Sequence, residues 1–333
     1  MRINISKFER LEDQKTKLKA ALKVSGDVQV EIAYDGVHAL NELTRSIAQL
    51  HPHKRSIAVL GAQPPPVFGL LKGFVSEGFS VQEIPFSFMG FDEKALIESW
   101  EKLKKDTLFV LGSVIEPLTG GIYPFDWIRR EAPKKNIFSL MYMSSDALKL
   151  GPIVPASPWE SVIIDPLWDQ SQTLALILKG ERSQGERLIW GEARFSNESV
   201  EKLESRLCEP LESQDRSTVL DFEKKVMEYF KSTVRSLDRQ CPRVFDRAVL
   251  FISGVNGESL MHALNEKSFD VGSGASCAWD SPHFNRWLPK LGVSEEMVQT
   301  SILIPLKTLK KPGLFENLVE NINKLRKLSG FSQ

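Results

Sequence analysis

The sequence is poor in cysteine and carries no excess of charge of either sign, and both features narrow the classes of protein it can belong to. It has three cysteines in 333 residues, Cys208, Cys241 and Cys277, without the spacing of a metal site. So sparse and odd a set argues against a disulfide-stapled domain and predicts a reducing, cytoplasmic compartment. Lysine plus arginine and aspartate plus glutamate each total 43. This balance gives no reason to expect a nucleic-acid partner.

Long apolar runs are also missing. None approaches the ~18 consecutive apolar residues of a transmembrane helix. Charged residues recur throughout the N-terminal stretch, which therefore does not look like a signal peptide. We expect no membrane partner. Hydrophobic residues make up 42% and charged residues 26% of the chain, an ordinary globular balance.

What the sequence does contain is a regular alternation of short apolar runs and amphipathic segments. The runs that predict strands are residues 56–60, 81–85, 107–111, 136–143, 161–164 and 174–178. Strands separated by helices favour βαβ units and a mainly parallel sheet with helices on both faces. The charged segment 198–239 follows. Apolar positions at helical spacing predict one helix over residues 219–237, ending with Val234 and Leu237 on its buried face.

The most informative stretch runs from Val249 to Cys277 and reads VLFISGVNGESLMHALNEKSFDVGSGASC. A short apolar run, the turn signal Asn256-Gly257 and an amphipathic segment predict a strand followed by a helix. A second short apolar piece, residues 269–271, leads into a loop of glycine and serine that ends in Cys277. Small residues let a backbone approach another group closely and keep a thiol accessible.

This stretch resembles the C-terminal domain of the cysteine desulfurases, pyridoxal-phosphate (PLP) enzymes of the class V aminotransferase group. In that family a G-E-[SA]-L helix leads into S-S-G-S-A-C, whose cysteine accepts sulfur from the substrate. Here GESL is residues 257–260, and GSGASC places Cys277 at the sulfur-accepting position. Residues 281–283 and 291–292 follow the family's E-P-S-H-V-L-x-A-L-G. Residues 300–306 stand where the family has S-S-I-R-F-S-L.

The resemblance implies a PLP-transferase-like (aspartate aminotransferase) fold of the α/β class. We expect an N-terminal helix in residues 1–23 and a large α/β domain in residues 24–200 with a mainly parallel seven-stranded sheet. A smaller α+β domain would occupy residues 201–333. The similarity is faint before the last third of the chain and begins near Val24, so most of the family's N-terminal arm is not matched. A homodimer is implied, because the family builds its site at a two-fold interface.

The positions that hold cofactor and substrate in the family are largely replaced. The Schiff-base lysine follows a strand as S-x-H-K, but the matching segment, residues 165–173 around Asp169, contains no lysine and no histidine. The phosphate loop falls on residues 32–37, where Asp35 at a helix start would repel a phosphate. The substrate arginine falls on Leu303. The other degenerate positions are Pro64 at the stacking ring, Glu116 or Pro117 at an asparagine, and Ser145 or, with a one-residue gap, Asp146 at the pyridine-pairing aspartate.

Other residues near these positions have two interpretations. Lys149 could replace the missing Schiff-base lysine, but a lysine in this context is more often a solvated charge at the end of a helix. Lys179 ends a strand and should be solvated. Trp168 and Trp279 should lie near the former cofactor cavity and could fill it, since an empty polar pocket is costly. Cys277 is either an inert small residue or a reactive thiol that carries a persulfide.

The resemblance and its departures together favour a non-catalytic, desulfurase-like pseudoenzyme that binds a protein or a ligand. Its partner would be a second copy of itself or an active homologue, and neither a cofactor nor a metal is expected. A related hypothesis is a sensor that binds a small molecule in the cavity where the family binds its cofactor. Two enzymatic alternatives stay open: a PLP-dependent desulfurase or aminotransferase-type enzyme that retains PLP, and a sulfur carrier through a Cys277 persulfide.

Overall fold

The computed structural model describes residues 11–22, 28–61, 63, 65–84, 93–115, 120–144, 157–165, 174–179, 197–208, 215–237, 243–274 and 294–331. Two sheets organise these residues. The strands of the large sheet are β1 (Gln29–Ala33), β2 (Ser56–Leu60), β3 (Ser80–Ile84), β4 (Thr107–Ser113), β5 (Phe138–Ser144), β6 (Glu160–Asp165) and β7 (Ala175–Lys179). Those of the small sheet are β8 (Val234–Ser236), β9 (Arg247–Ile252), β10 (Gly272–Ser273) and β11 (Ser301–Pro305).

The large sheet has the strand order β1-β7-β6-β5-β4-β2-β3. The strand pairs β3–β2, β2–β4, β4–β5 and β5–β6 are parallel, whereas β7 runs antiparallel to both of its neighbours, β6 and β1. Six strands therefore share one direction. β2, β4, β6 and β7 are buried along their whole length. This explains why they appear in the sequence as continuous apolar runs, which are typical of strands covered on both faces.

Helices cover the large sheet and support the small one. They are α1 (Leu11–Ala21), α2 (Gly36–Leu50), α3 (Pro65–Ser76), α4 (Glu93–Glu101), α5 (Phe125–Glu131), α6 (Asn197–Cys208), α7 (Arg216–Phe230), α8 (Gly257–Asn265), α9 (Glu295–Gln299), α10 (Leu306–Leu309) and α11 (Leu314–Ser329). None of those in the described part of the chain has the length and apolar character that a membrane crossing requires.

The small sheet is antiparallel, with the order β10-β11-β9-β8, and its two faces have different neighbours. One face, with Leu250 and Ile302, belongs to a core shared with α7, α8 and α11. The other face, with Val249, Phe251 and Leu303, belongs to the same core as the large sheet. Alternation along a strand places successive side chains on opposite faces, so each of these strands serves two cores.

The predicted fold class is confirmed: the large sheet has seven strands, is mainly parallel and lies within residues 24–200. Two elements differ from the prediction. β1 was not predicted. The helix expected over residues 219–237 ends at Phe230, because Lys231 adopts a left-handed backbone with φ of 50°. Val234 then pairs with Ile252 as part of β8. The predicted division at residues 200/201 lies within α6 and stays a prediction.

The prediction that Lys179 is solvated is wrong. Its side chain is 1% exposed, and its ammonium lies 2.9 Å from Glu31 Oε1. Burial lowers the pKa of Lys179, and the facing carboxylate opposes that shift. In the register, Lys179 pairs with Gln29 and Ser161, at the amino end of β6. The lysine and its partner thus fasten the β1 edge strand to the sheet.

Candidate functional site

The carboxyl ends of the parallel strands meet at one edge of the large sheet. In open α/β sheets, ligands bind in the crevice outside these strand ends. Here the edge is formed by Gly61 and Gln63 after β2, Ser113 at the end of β4, Tyr142 near the end of β5 and Asp165 at the end of β6. The first turn of α2 faces the same edge, since Gly36 contacts Asp165. This edge is the candidate site.

A tyrosine–aspartate pair lies at its centre. The Tyr142 hydroxyl donates a hydrogen bond of 2.6 Å to Asp165 Oδ2. Both side chains are buried, with 2% and 7% of the residue exposed. Burial raises the pKa of Tyr142 far above its ordinary value, and the negative charge of Asp165 is the second-largest cause of this increase. The phenol therefore stays neutral and remains a donor to the carboxylate at neutral pH.

The same carboxylate reaches the start of α2. Asp35 is the N-cap of this helix, and its side chain accepts a hydrogen bond of 2.6 Å from the His38 amide. A Cβ placed on Gly36 would lie 2.1 Å from Asp165 Oδ2, so the glycine is required for the approach. A helix N-terminus favours negative charge. In this protein two aspartates of the chain itself, Asp35 and Asp165, provide it.

The neighbouring part of the edge is also filled by the chain's own polar groups. Gln63 is fully buried, donates to the Leu60 carbonyl and accepts a 3.1 Å hydrogen bond from Ser113 Oγ. Gly61 has φ of 55°, and a Cβ there would lie 2.7 Å from the Tyr123 hydroxyl oxygen. The positive φ and the close contact together favour glycine at this position. Gln63 and Ser113 thus satisfy each other without a ligand.

These residues fit the phosphate end of PLP poorly. The helix start that would hold a phosphate carries Asp35 and is closed by Asp165, and like charges repel. No lysine stands among the described residues of this edge. Lys179 lies at the opposite end of the sheet: Asp165 is four positions along β6 from Ser161, the register partner of Lys179, or about 13 Å along a strand.

Several residues predicted for the site lie outside the described residues. They are Pro64, Glu116, Pro117, Ser145, Asp146, Lys149, Trp168, Asp169, Cys277 and Trp279. Asp35 and Leu303 are described. The structure brings Asp35 to the edge but places Leu303 in the small sheet, between Val249 and Gly272. Leu303 is 8% exposed and forms part of the apolar core, so it presents no charge there.

Gly274, in the GSGASC segment, is hydrogen-bonded to β11. Ser301 Oγ accepts a hydrogen bond of 3.1 Å from the Gly274 amide and donates one of 2.8 Å to the Val298 carbonyl. A Cβ on Gly257 would lie 2.2 Å from the Ser301 carbonyl oxygen. The glycine of GESL is therefore needed to pack α8 against β11. This part of the resemblance has a structural cause that does not depend on catalysis.

Within the described ranges, no group of three or more histidine, cysteine, aspartate or glutamate side chains could hold a metal ion.

The sequence analysis did not predict two central residues of the site, Tyr142 and Asp165. Tyr142 stands inside an apolar run, and Asp165 was read as the first residue of a loop. The available signal was a carboxylate at the end of a fully buried strand, a position that needs a partner.

Comparison with known proteins finds no matching family model and no matching curated protein. Solved structures do match. A NifS-like protein superposes with a TM-score of 0.70 at 15% identity, covering 97% of this chain and 88% of that one. The cysteine desulfurase CsdA from Escherichia coli gives 0.67 at 14% identity, covering 96% and 84%. The cysteine desulfurase from Thermococcus onnurineus gives 0.66 at 12%, covering 96% and 84%. The chain thus has the PLP-transferase fold of NifS-like cysteine desulfurases.

Proposed function

We propose that the chain is a non-catalytic, cysteine-desulfurase-like protein that acts by binding and not by PLP chemistry. The observation that carries this proposal is the position of Asp165, which is hydrogen-bonded to Tyr142 and lies against Gly36 at the start of α2. A phosphate at that helix start would face the carboxylates of Asp35 and Asp165. Placing like charges side by side costs several kcal/mol. The helix dipole is too weak to offset such a cost, at about 0.3–1 kcal/mol.

The replaced positions support the same conclusion from the sequence. The segment that should carry the Schiff-base lysine, residues 165–173, has none, and Leu303 stands where the family has its substrate arginine. Without the lysine, covalent chemistry has no anchor in the protein. Cofactor binding and substrate binding are therefore both weakened by independent changes.

An enzymatic role is the second candidate, and the fold shared with cysteine desulfurases favours it. It would be a PLP-dependent desulfurase or aminotransferase-type reaction, or sulfur transport on a Cys277 persulfide. We give it less weight because the described part of the carboxyl edge is filled by the chain's own side chains.

The binding partner we propose is a second copy of the chain, with an active homologue as the alternative, in the cytoplasm. A two-fold dimer would pair identical surfaces of the two copies. Light scattering at micromolar concentration should give twice the 37.6 kDa of one chain. A mass of one chain would exclude the homodimer and leave the heterologous partner.

Addition of PLP and cysteine to the purified protein tests the proposal. We expect no visible absorbance band from a PLP–protein adduct and no sulfide release. Asp165→Asn should admit phosphate better, because it removes one of the two charges, so its affinity for inorganic phosphate should rise above that of wild type. A stoichiometric band with sulfide release in the wild type would establish the enzyme.

A further inference from the structure

A cavity lies at the end of the large sheet opposite the carboxyl edge. It has a volume of about 370 Å³, and its walls include Arg45 and Gln49 from the end of α2, Arg55 before β2, Phe74 and Glu77 from the end of α3, and Phe79 before β3. Arg55 and Phe79 immediately precede the amino ends of β2 and β3. The cavity is therefore about one strand length, ~16 Å for five residues, from the edge where Asp165 lies.

The apolar lining of this arginine–phenylalanine pocket consists of Phe74 and Phe79 together with Ala48 and Pro52. Phe74 and Phe79 are buried, and their rings meet edge to face with centroids 4.9 Å apart. The guanidinium of Arg45 lies 5.6 Å from the Phe74 centroid, and that of Arg55 lies 5.0 Å from the Phe79 centroid. Each cation thus rests over a ring, which orients it without neutralising it.

The two arginines differ in what else they bind. Arg45 donates to Asn41 Oδ1 at 2.9 Å and pairs with Glu77 Oε1 at 2.7 Å, so its fork is occupied. For Arg55, no side chain in the described part of the chain accepts a hydrogen bond from the guanidinium. The neighbouring Lys54 does not line the cavity, since its ammonium donates to the backbone carbonyls of Thr107 and Asn136. Among the described residues, Arg55 is thus a cation held over Phe79 whose guanidinium donates to no side chain, at a cavity with both apolar and charged lining residues.

We propose that this pocket binds a small monocarboxylate with an aromatic or aliphatic body. A guanidinium fork matches a carboxylate with two parallel hydrogen bonds, and the apolar part of the lining, Ala48 and Pro52 together with Phe74 and Phe79, would contact the body. Arg45, Arg55 and Glu77 carry a net charge of +1, which suits a monoanion better than a phosphate dianion. The cavity volume of about 370 Å³ equals that of about a dozen water molecules, which occupy ~30 Å³ each in the liquid.

The test titrates full-length protein into 4-fluorobenzoate and follows the fluorine NMR line width. We expect saturable binding, weakened about tenfold or more in Arg55→Gln. Arg130→Gln removes an exposed arginine of α5 and should leave binding unchanged. 4-Fluorobenzyl alcohol, which keeps the ring and loses the charge, should bind at least about tenfold more weakly than the carboxylate.

A third variant separates a ligand site from a merely structural cluster. Among the described residues that line the pocket, Glu77 alone carries a carboxylate. Glu77→Gln removes it and releases Arg45 from its ion pair, so 4-fluorobenzoate should bind several-fold more tightly. Equal affinity in wild type and Arg55→Gln, or no saturable binding, would overturn the proposal. Neither result bears on PLP at the carboxyl edge, because the pocket is at the other end of the sheet.

Discussion

Tyr142 donates a 2.6 Å hydrogen bond to Asp165 from the adjacent parallel strand, and both side chains are buried. The carboxylate also contacts Gly36 at the start of α2. These contacts occupy the carboxyl edge of the large sheet, where open α/β sheets bind their ligands. The proposed binding role depends on this arrangement.

Tyr142→Phe should destabilise the protein by about 1–3 kcal/mol, because it removes a donor from a buried carboxylate. Urea unfolding followed by circular dichroism measures the change. Tyr229→Phe is the matched control: Tyr229 is 54% exposed, and its ring contacts with Phe230 and Phe315 would be kept. A loss of equal size in the two variants would show that the hydroxyl of Tyr142 has no special role.

The stability of the wild type should fall more steeply with pH above ~10 than that of Tyr142→Phe. The folded protein raises the pKa of Tyr142, whereas an unfolded tyrosine ionises near pH 10. Above that pH the unfolded state binds fewer protons, so this contribution is complete below pH ~10 and is lost as pH rises towards the folded pKa. The limiting slope is about 1.4 kcal/mol per pH unit. Parallel curves for the two proteins, from urea melts between pH 8 and 11 or so, would contradict the assignment.

Lys179→Met should cost about 3–5 kcal/mol, because it leaves Glu31 as a buried charge without its cation. The double variant Glu31→Leu/Lys179→Met should recover most of that loss. A double-mutant cycle in urea gives the coupling energy. For comparison, Lys202→Met breaks an exposed pair with Glu198 and should change stability by less than about 0.5 kcal/mol. Additive effects of the Glu31 and Lys179 changes would refute the pairing.

Gly257→Ala should destabilise the protein by about 1–3 kcal/mol, because the new methyl group would collide with the Ser301 carbonyl. Gly69→Ala is the control. A Cβ at Gly69 meets nothing within 4 Å, so this change within α3 should stabilise the protein by about 0.5–1 kcal/mol. Thermal melts of both variants distinguish the two signs. A neutral Gly257→Ala would remove the structural explanation of the GESL segment.

The sequence predicted the large sheet well where strands are covered on both faces. β1 was not predicted, because Glu31 interrupts its apolar pattern. A glutamate can be buried there because it pairs with Lys179, which is 148 positions away in the sequence. The end of α7 was mispredicted because Val234 and Leu237 continue a helical spacing. Tertiary pairing of residues 234–236 with β9 decided the conformation of this segment.

The candidate site was less predictable than the fold. Asp35 could be placed at a helix start from its sequence context, and the structure shows it as the N-cap of α2. Asp165 could not, since its partners Tyr142 and Gly36 lie 23 and 129 positions away. Contacts of this kind depend on strand order, which local patterns do not specify.

Borohydride reduction in the presence of PLP tests the central claim most directly. Protein is incubated with PLP, reduced, digested and searched by mass spectrometry for a pyridoxyl-lysine peptide. We expect no stoichiometric adduct on any single lysine, Lys149 and Lys179 included. A stoichiometric adduct on one lysine, together with sulfide release from cysteine, would show that the chain is a PLP enzyme.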